Sequence, residues 1–271
     1  MTTTIAGGPA VETVGLVRRF GAATAVDQLS LRVERGQFFG FLGPNGAGKS
    51  TTIKMLTGLL APTEGTARVL GYDVRREALE VKRRIGVVPE DLNLFERLTG
   101  AEMLTFTGRM YGVARAETVE RTRELLALME LDGEPRKLVV EYSHGMKKKL
   151  ALACALIHRP DMLFLDEPFE GVDAIASRTL KDLLLRLTAR GLTVFLTSHV
   201  LEIVERLCTH IAIINAGRLV VSGSLAELRR GIVTAEGQTG TSLSLEEYFL
   251  RVTGGARRDD AEVLAWLGSR Q

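Results

Sequence analysis

The chain has 271 residues, 45% of them apolar and 25% charged, a composition ordinary for a soluble globular protein with room for one large domain or two small ones. Lys and Arg (35) nearly cancel Asp and Glu (33), and the formal net charge of +2 gives no electrostatic reason to expect nucleic acid as the main partner. Two cysteines, Cys154 and Cys208, lie in apolar stretches without metal-ligand spacing, which argues against a disulfide framework and fits a reducing compartment.

Residues 1–10 read as a flexible end, and MTTTIAGGPAVETVG lacks the basic region and apolar run of a signal peptide. From Val11 to Phe41 the short alternating runs VETVGLVRR, LSLRVERG and QFFGFLG, separated by turns, read as strands. A glycine-rich turn, Gly43–Gly48, then opens a helix, KSTTIKMLTGLL, stopped by Pro62; EGTARVLGYDV reads as turn and strand. Helical periodicity dominates from about Leu98 to Ile157, in AEMLTFTGRMYG, ETVERTRELLALMEL and GMKKKLALACALI, and marks a mostly helical insertion. After Pro160 the pattern alternates: strand MLFLDEP, helix SRTLKDLLLRLTARG, strand TVFLTSH, helix VLEIVERLC, strand HIAIINAGRLVVSG. Such alternation predicts a parallel sheet with right-handed crossovers. The tail after about Gly254 reads as a loosely attached segment with one short helix. No apolar run approaches the ~20 residues needed to cross a bilayer, so membrane-spanning helices, if the work requires them, belong to another chain.

Two motifs carry chemistry. GPNGAGKST, comprising Gly43, Pro44, Asn45, Gly46, Ala47, Gly48, Lys49, Ser50 and Thr51, fits G-x-x-x-x-G-K-[ST] and lies between an expected strand and an expected helix. Glycines let backbone N–H groups turn inward around phosphate oxygens, and the following helix points its positive end at the same anion. Lys49 can reach the β- and γ-phosphates, and the Ser50 hydroxyl can ligate Mg²⁺. In MLFLDEP, four apolar residues form a buried strand with two acids at its C-terminal end, where ligands of open α/β sheets bind. Asp166 suits the Mg²⁺ shell, and Glu167 suits orienting or deprotonating the attacking water. The remaining polar features have plain structural readings: Lys147, Lys148 and Lys149 as a solvated helix face, His158 and His210 as ordinary packed or surface histidines.

Taken in order, these motifs resemble the nucleotide-binding domain of the ABC family over residues 11–230. YSHGMKKKL is similar to the family signature just upstream of the acidic strand, Asp173 falls at the D-loop, and His199 in TSH falls at the switch histidine. Phe20, ahead of the phosphate loop, matches the aromatic that stacks on adenine, and VVPEDLNLF occupies the Q-loop, with Glu90 in place of its glutamine. The signature departs from the family pattern too: Tyr142-Ser143-His144-Gly145-Met146 replaces Leu-Ser-Gly-Gly-Gln, keeping the serine hydroxyl and the second glycine. Both departures resemble exporter-type members.

The resemblance implies an α/β fold: a P-loop NTPase core of ABC type with a mainly parallel sheet, an N-terminal antiparallel β subdomain and an inserted helical subdomain at about 98–157. Residues 231–271 would form a C-terminal extension, in which LSLEEYFLRVTG resembles a terminal helix of exporter-type members. It further implies an ATP-binding and ATP-hydrolysing transporter subunit, using ATP and Mg²⁺ and powering a separate integral membrane permease from the cytoplasmic face of the cell membrane. Glu167 and His199 would be catalytic; Phe20, the loop from Gly43 to Thr51, Ser143 and Gly145 would hold nucleotide; Ser50, Asp166 and Glu90 would hold the metal. Each ATP would sit between one chain's phosphate loop and the other's Ser143 and Gly145, in a homodimer or a heterodimer of nucleotide-binding subunits. Leu92, Leu94, Phe95, Leu98, Met103 and Phe106 form either a groove for a helix of the membrane partner or simply the core of the helical subdomain. Two rivals share the phosphate loop: an ABC-type ATPase acting on nucleic acid or ribosomes, and a small-molecule kinase. The first generally carries long coiled-coil insertions or a second nucleotide domain, and the second needs an acceptor pocket and a lid.

Overall fold

A computed structural model describes residues 8–228 and 245–253. By internal contacts the chain divides into two units, Met1–Leu225 and Ala226–Gln271. The described part of the second includes one helix, Leu245–Thr253, within the segment expected to be a terminal helix. The short helix expected after Gly254 and residues 1–7 of the expected flexible start lie outside the described residues. Ala10, included in that start, is fully buried and donates its N–H to Val33 O at 2.7 Å.

The first unit begins with β1 (Val11–Phe20), β2 (Ala23–Val33), β3 (Phe38–Leu42) and α1 (Lys49–Leu56). Next come β4 (Glu64–Val69), β5 (Tyr72–Asp73), α2 (Ala78–Arg84) and β6 (Ile85–Val88), then α3 (Gly100–Met110), α4 (Arg115–Leu128) and α5 (His144–Leu156). The chain returns through β7 (Met162–Asp166), α6 (Ala174–Thr188), β8 (Thr193–Ser198), α7 (Leu201–Leu207), β9 (His210–Asn215) and β10 (Arg218–Ser224). An antiparallel sheet has the order β2-β1-β4-β5. The larger sheet, β10-β9-β3-β8-β7-β6, is parallel except for β10 at its edge. Helices α3, α4 and α5 lie between β6 and β7 in the chain, where the periodicity places the helical insertion.

The parallel sheet is buried because its strands read apolar without alternation: every residue of β3, β7 and β8 is buried. Phe195 pairs in register with Phe39 on one side and Phe164 on the other, and both rings lie 5.4 Å from its own. Phe41 adds a third contact at 5.4 Å. Each such ring removes enough apolar area from water to contribute about 2–3 kcal/mol. These strands therefore hold their C-terminal ends, where the motifs sit, on a rigid base.

One expected strand is in fact two. HIAIINAGRLVVSG forms a hairpin, because Ala216 and Gly217 both take left-handed backbone, with φ of 46° and 80°, and reverse the chain between β9 and β10. Helix α2 and strand β6 were not marked by the sequence pattern at all.

Candidate functional site

Strand β3 ends at Leu42, and the chain must turn at once beside β9. A Cβ on Gly43 would lie 2.3 Å from Ile214 O, so only glycine fits. Gly48 enters α1 at φ 105°, and a Cβ there would meet Ala25 O at 2.4 Å. With no side-chain cap and no acid in the first turn, α1 leaves its amide donors and positive dipole end for an anion. Lys49 is buried and folds back on the loop, donating to Gly43 O at 2.9 Å and Pro44 O at 3.3 Å, while its Nζ lies 3.6 Å from Glu167 Oε1.

A pocket of about 250 Å³ opens over this loop. Its lining includes Asn45, Gly46, Gly48, Lys49, Ser50 and Thr51 from the loop, with Glu90, Glu167 and His199 from elsewhere in the chain. Ala25 and Glu170 also line it, and the motifs did not single them out.

Glu167 terminates β7 in left-handed backbone, φ 47°, a conformation that strains a residue with a side chain by about 1 kcal/mol or more. Its Oε2 is 3.1 Å from His199 Nδ1, whereas its buried Oε1 has no hydrogen-bond partner among the described residues. Thr197, fully buried on β8, binds both acids of the motif: its Oγ1 donates to Asp166 Oδ1 at 2.5 Å and accepts from Glu167 N at 3.1 Å. Asp166 does not line the pocket. No group of three or more His, Cys, Asp or Glu that could hold a metal occurs among the described residues. Ser50 and Glu90, both lining the pocket, still offer a hydroxyl and a carboxylate for Mg²⁺, which keeps most of its shell as water and phosphate oxygen.

Ser143 caps α5, its Oγ accepting from Met146 N at 3.2 Å. Gly145 is buried against α6, where a Cβ would stand 3.1 Å from Asp173 Oδ2. Neither residue lines the pocket of its own chain. His144, without an assigned job in the sequence, meets Glu170 O at 3.2 Å through Nε2 and fixes the signature turn to the loop after Glu167. Phe20 stands at the end of β1, half exposed, with the Arg18 guanidinium 4.4 Å above its ring; it does not line the pocket.

The lysine run corrects the sequence reading. Lys148 is 2% exposed and Lys149 is 7%, so they are no solvated face. Lys149 pairs with Glu130 at 2.7 Å, and Lys147 pairs with Glu96 at 3.4 Å. The Lys148 ammonium donates to Glu167 O at 3.2 Å and Glu90 O at 3.3 Å. Burial pushes its pKa below the usual lysine range, against the opposing pull of Glu170, Glu90, Asp166 and Glu167. The missed signal lies one turn on: Leu152 and Ala153, at i+4 from these lysines, are buried, and α5 is apolar on every side from Leu150 to Leu156.

His158 keeps its structural reading, stacked on Tyr111 at 3.7 Å and bonded to Ile85 O at 2.9 Å. The proposed groove residues divide. Met103 is core, Leu92, Leu94 and Leu98 are half-buried, and Phe95 and Phe106 are exposed and packed edge to face at 5.2 Å.

Comparison with known proteins agrees with this geometry. The sequence model of the family described as ABC transporter matches residues 26–170. The daunorubicin/doxorubicin resistance ATP-binding protein DrrA of Streptomyces peucetius is 42% identical over 82% of this chain and 68% of that protein. The Nod factor export ATP-binding protein I of Cupriavidus metallidurans is 41% identical over 77% of this chain and 69% of its own. Among solved structures, an ATP-binding subunit of an ABC transporter superposes with a TM-score of 0.80 at 32% identity, covering 90% of this chain and 99% of that one.

Proposed function

Because the chain belongs to the ABC transporter family, as an ATP-binding and ATP-hydrolysing subunit, we propose a specific division of labour at its site. The observation that carries it is Glu167 Oε1: buried, without a hydrogen bond among the described residues, on the pocket wall and ion-paired with Lys49 Nζ at 3.6 Å. A buried carboxylate oxygen without a donor is poised to take one, and the attacking water is the donor that this chemistry requires.

In this reading the triphosphate lies in the loop from Gly43 to Thr51, and Lys49 exchanges its Gly43 and Pro44 carbonyl partners for phosphate oxygens. Glu167 accepts the water proton as the water oxygen bonds to the γ-phosphorus, and the bond to the bridging oxygen breaks, leaving ADP. His199 holds Glu167 Oε2 and faces the γ-phosphate. Ser50, with Asp166 and Glu90 as further oxygen donors, would hold Mg²⁺, which would supply charge neutralisation to the β- and γ-phosphates. Phe20 stacks on adenine with the ring face that Arg18 leaves free. Ser143 and Gly145 complete the pocket of a second nucleotide-binding subunit, which accounts for their place outside their own.

No described helix is long and apolar enough to cross a membrane, so this reading assigns the spanning path to a separate permease, with the chain on its cytoplasmic face. Relatives named for drug resistance and for Nod factor export support outward transport. The test is Glu167→Gln in the full chain. Phosphate release from Mg-ATP should fall about 100-fold or more while binding of a fluorescent ATP analogue is retained. Unchanged turnover removes Glu167 from the role.

A further inference from the structure

We propose that Lys148 is a positioning residue for Glu167, holding its strained backbone through the Glu167 carbonyl and tying that carbonyl to the segment that carries Glu90. The proposal rests on the reading of Glu167 as the base.

Glu167 keeps left-handed backbone without being glycine, so surrounding groups must enforce it. Both of its backbone groups are pinned. The N–H donates to Thr197 Oγ1 at 3.1 Å, and the C=O accepts from Lys148 Nζ at 3.2 Å and from Glu170 N at 3.3 Å. Of the two donors to that carbonyl, the ammonium is charged and forms the stronger bond. Its second bond, to Glu90 O at 3.3 Å, means that displacement of the Glu90 segment pulls on the same atom that fixes Glu167.

Charge supports the assignment. An ammonium this deeply buried is destabilising unless it is paired, and an apolar side chain of similar length would suit the rest of α5 better. Here Glu90, Asp166, Glu167 and Glu170 act on the ammonium against the desolvation. Lys148 thus partly offsets, from within the fold, the carboxylates that a triphosphate must approach. Because α5 begins at the signature turn, one helix joins that turn to the backbone of the base.

The experiment compares Lys148→Met, Lys148→Arg and Lys148→Gln in the full chain with wild type, measuring phosphate release over a range of Mg-ATP and binding of a fluorescent ATP analogue. Lys148→Met should lower kcat by about 10- to 100-fold with KM and analogue affinity within about threefold, because a misplaced base slows chemistry without removing phosphate contacts. Lys148→Arg, which keeps the donors, should recover most of the loss. If Lys148→Met does not fold, Lys148→Gln, able to reach one carbonyl, should show an intermediate loss of kcat. In a Glu167→Gln background, removing the ammonium should have no further effect, since it acts through Glu167. Wild-type kcat in Lys148→Met, a matching loss of affinity, or no rescue by arginine overturns the proposal. If Glu167→Gln itself hydrolyses normally, the failure lies in the reading of the base.

Discussion

Thr197→Val isolates one hydroxyl on which both acids of the site depend. The side chains have nearly the same shape, and Thr197 is fully buried, so the substitution removes two hydrogen bonds without opening a cavity. One runs from the hydroxyl to the Asp166 carboxylate at 2.5 Å, and such a bond to a charged acceptor contributes about 1.5–3 kcal/mol. The other, from Glu167 N at 3.1 Å, leaves a buried N–H stranded at about 1–3 kcal/mol. The expected destabilisation is therefore about 2.5–6 kcal/mol, read as a lowered urea midpoint at constant slope. Thr197→Ser keeps the hydroxyl and loses one methyl, for about 1 kcal/mol. Turnover should follow the same order, since the hydroxyl fixes the backbone of Glu167. If valine matches wild type in stability, or if serine is as damaging as valine, the hydroxyl does not organise the acids.

Lys49→Ala should weaken binding of a fluorescent ATP analogue at least 10-fold with the fold intact, because Lys49 is the pocket's one lysine among the described lining residues; equilibrium titration checks it. Ser143→Ala removes the α5 cap and should cost about 1 kcal/mol in denaturant unfolding. It should also lower ATP-driven self-association measured by sedimentation. Phe195→Ala, at the centre of the aromatic cluster, should destabilise the chain by about 3–5 kcal/mol, seen as a lowered urea midpoint.

Much of this site was legible because its motifs are local. Gly43 to Thr51 is one continuous stretch, and Gly43 and Gly48 answer to close backbone approaches that no other residue tolerates. MLFLDEP shows its burial and its acids in five consecutive strand residues followed by Glu167. What escaped was set by tertiary partners. Thr197 reads as one more residue of an apolar strand, and its task appears only when β8 lies in register beside β7, with Thr197 opposite Asp166. Lys148 and Lys149 look solvated because charge run together suggests water; the packing of α5 against neighbouring elements on most sides decides otherwise. The β9–β10 hairpin was missed because its turn is Ala216-Gly217, without the Asn-Gly or Asp-Gly pair that marks such turns.

Electrostatics gives a reason for the proposed division of the site between two subunits. Three carboxylates, those of Glu90, Glu167 and Glu170, line the pocket beside a single lysine, Lys49. A triphosphate brings further negative charge into that space, so the loop's amides and Lys49 face an unfavourable field from their own chain. Helix α5 has no acid in its first turn, so its N-terminal end is positive by its dipole, while the charge of Lys147 near its start is paired with Glu96. Ser143 and Gly145 at that end do not line the chain's own pocket, and on the proposed reading the end suits the γ-phosphate side of another chain's nucleotide. On this argument ATP and magnesium should promote pairing of subunits, and the attraction should weaken once the γ-phosphate leaves. Raising salt from low to physiological strength should weaken the pairing through the same charges. A dimer that forms equally well with ADP, or one indifferent to salt, would show that apolar contact rather than this field joins the subunits.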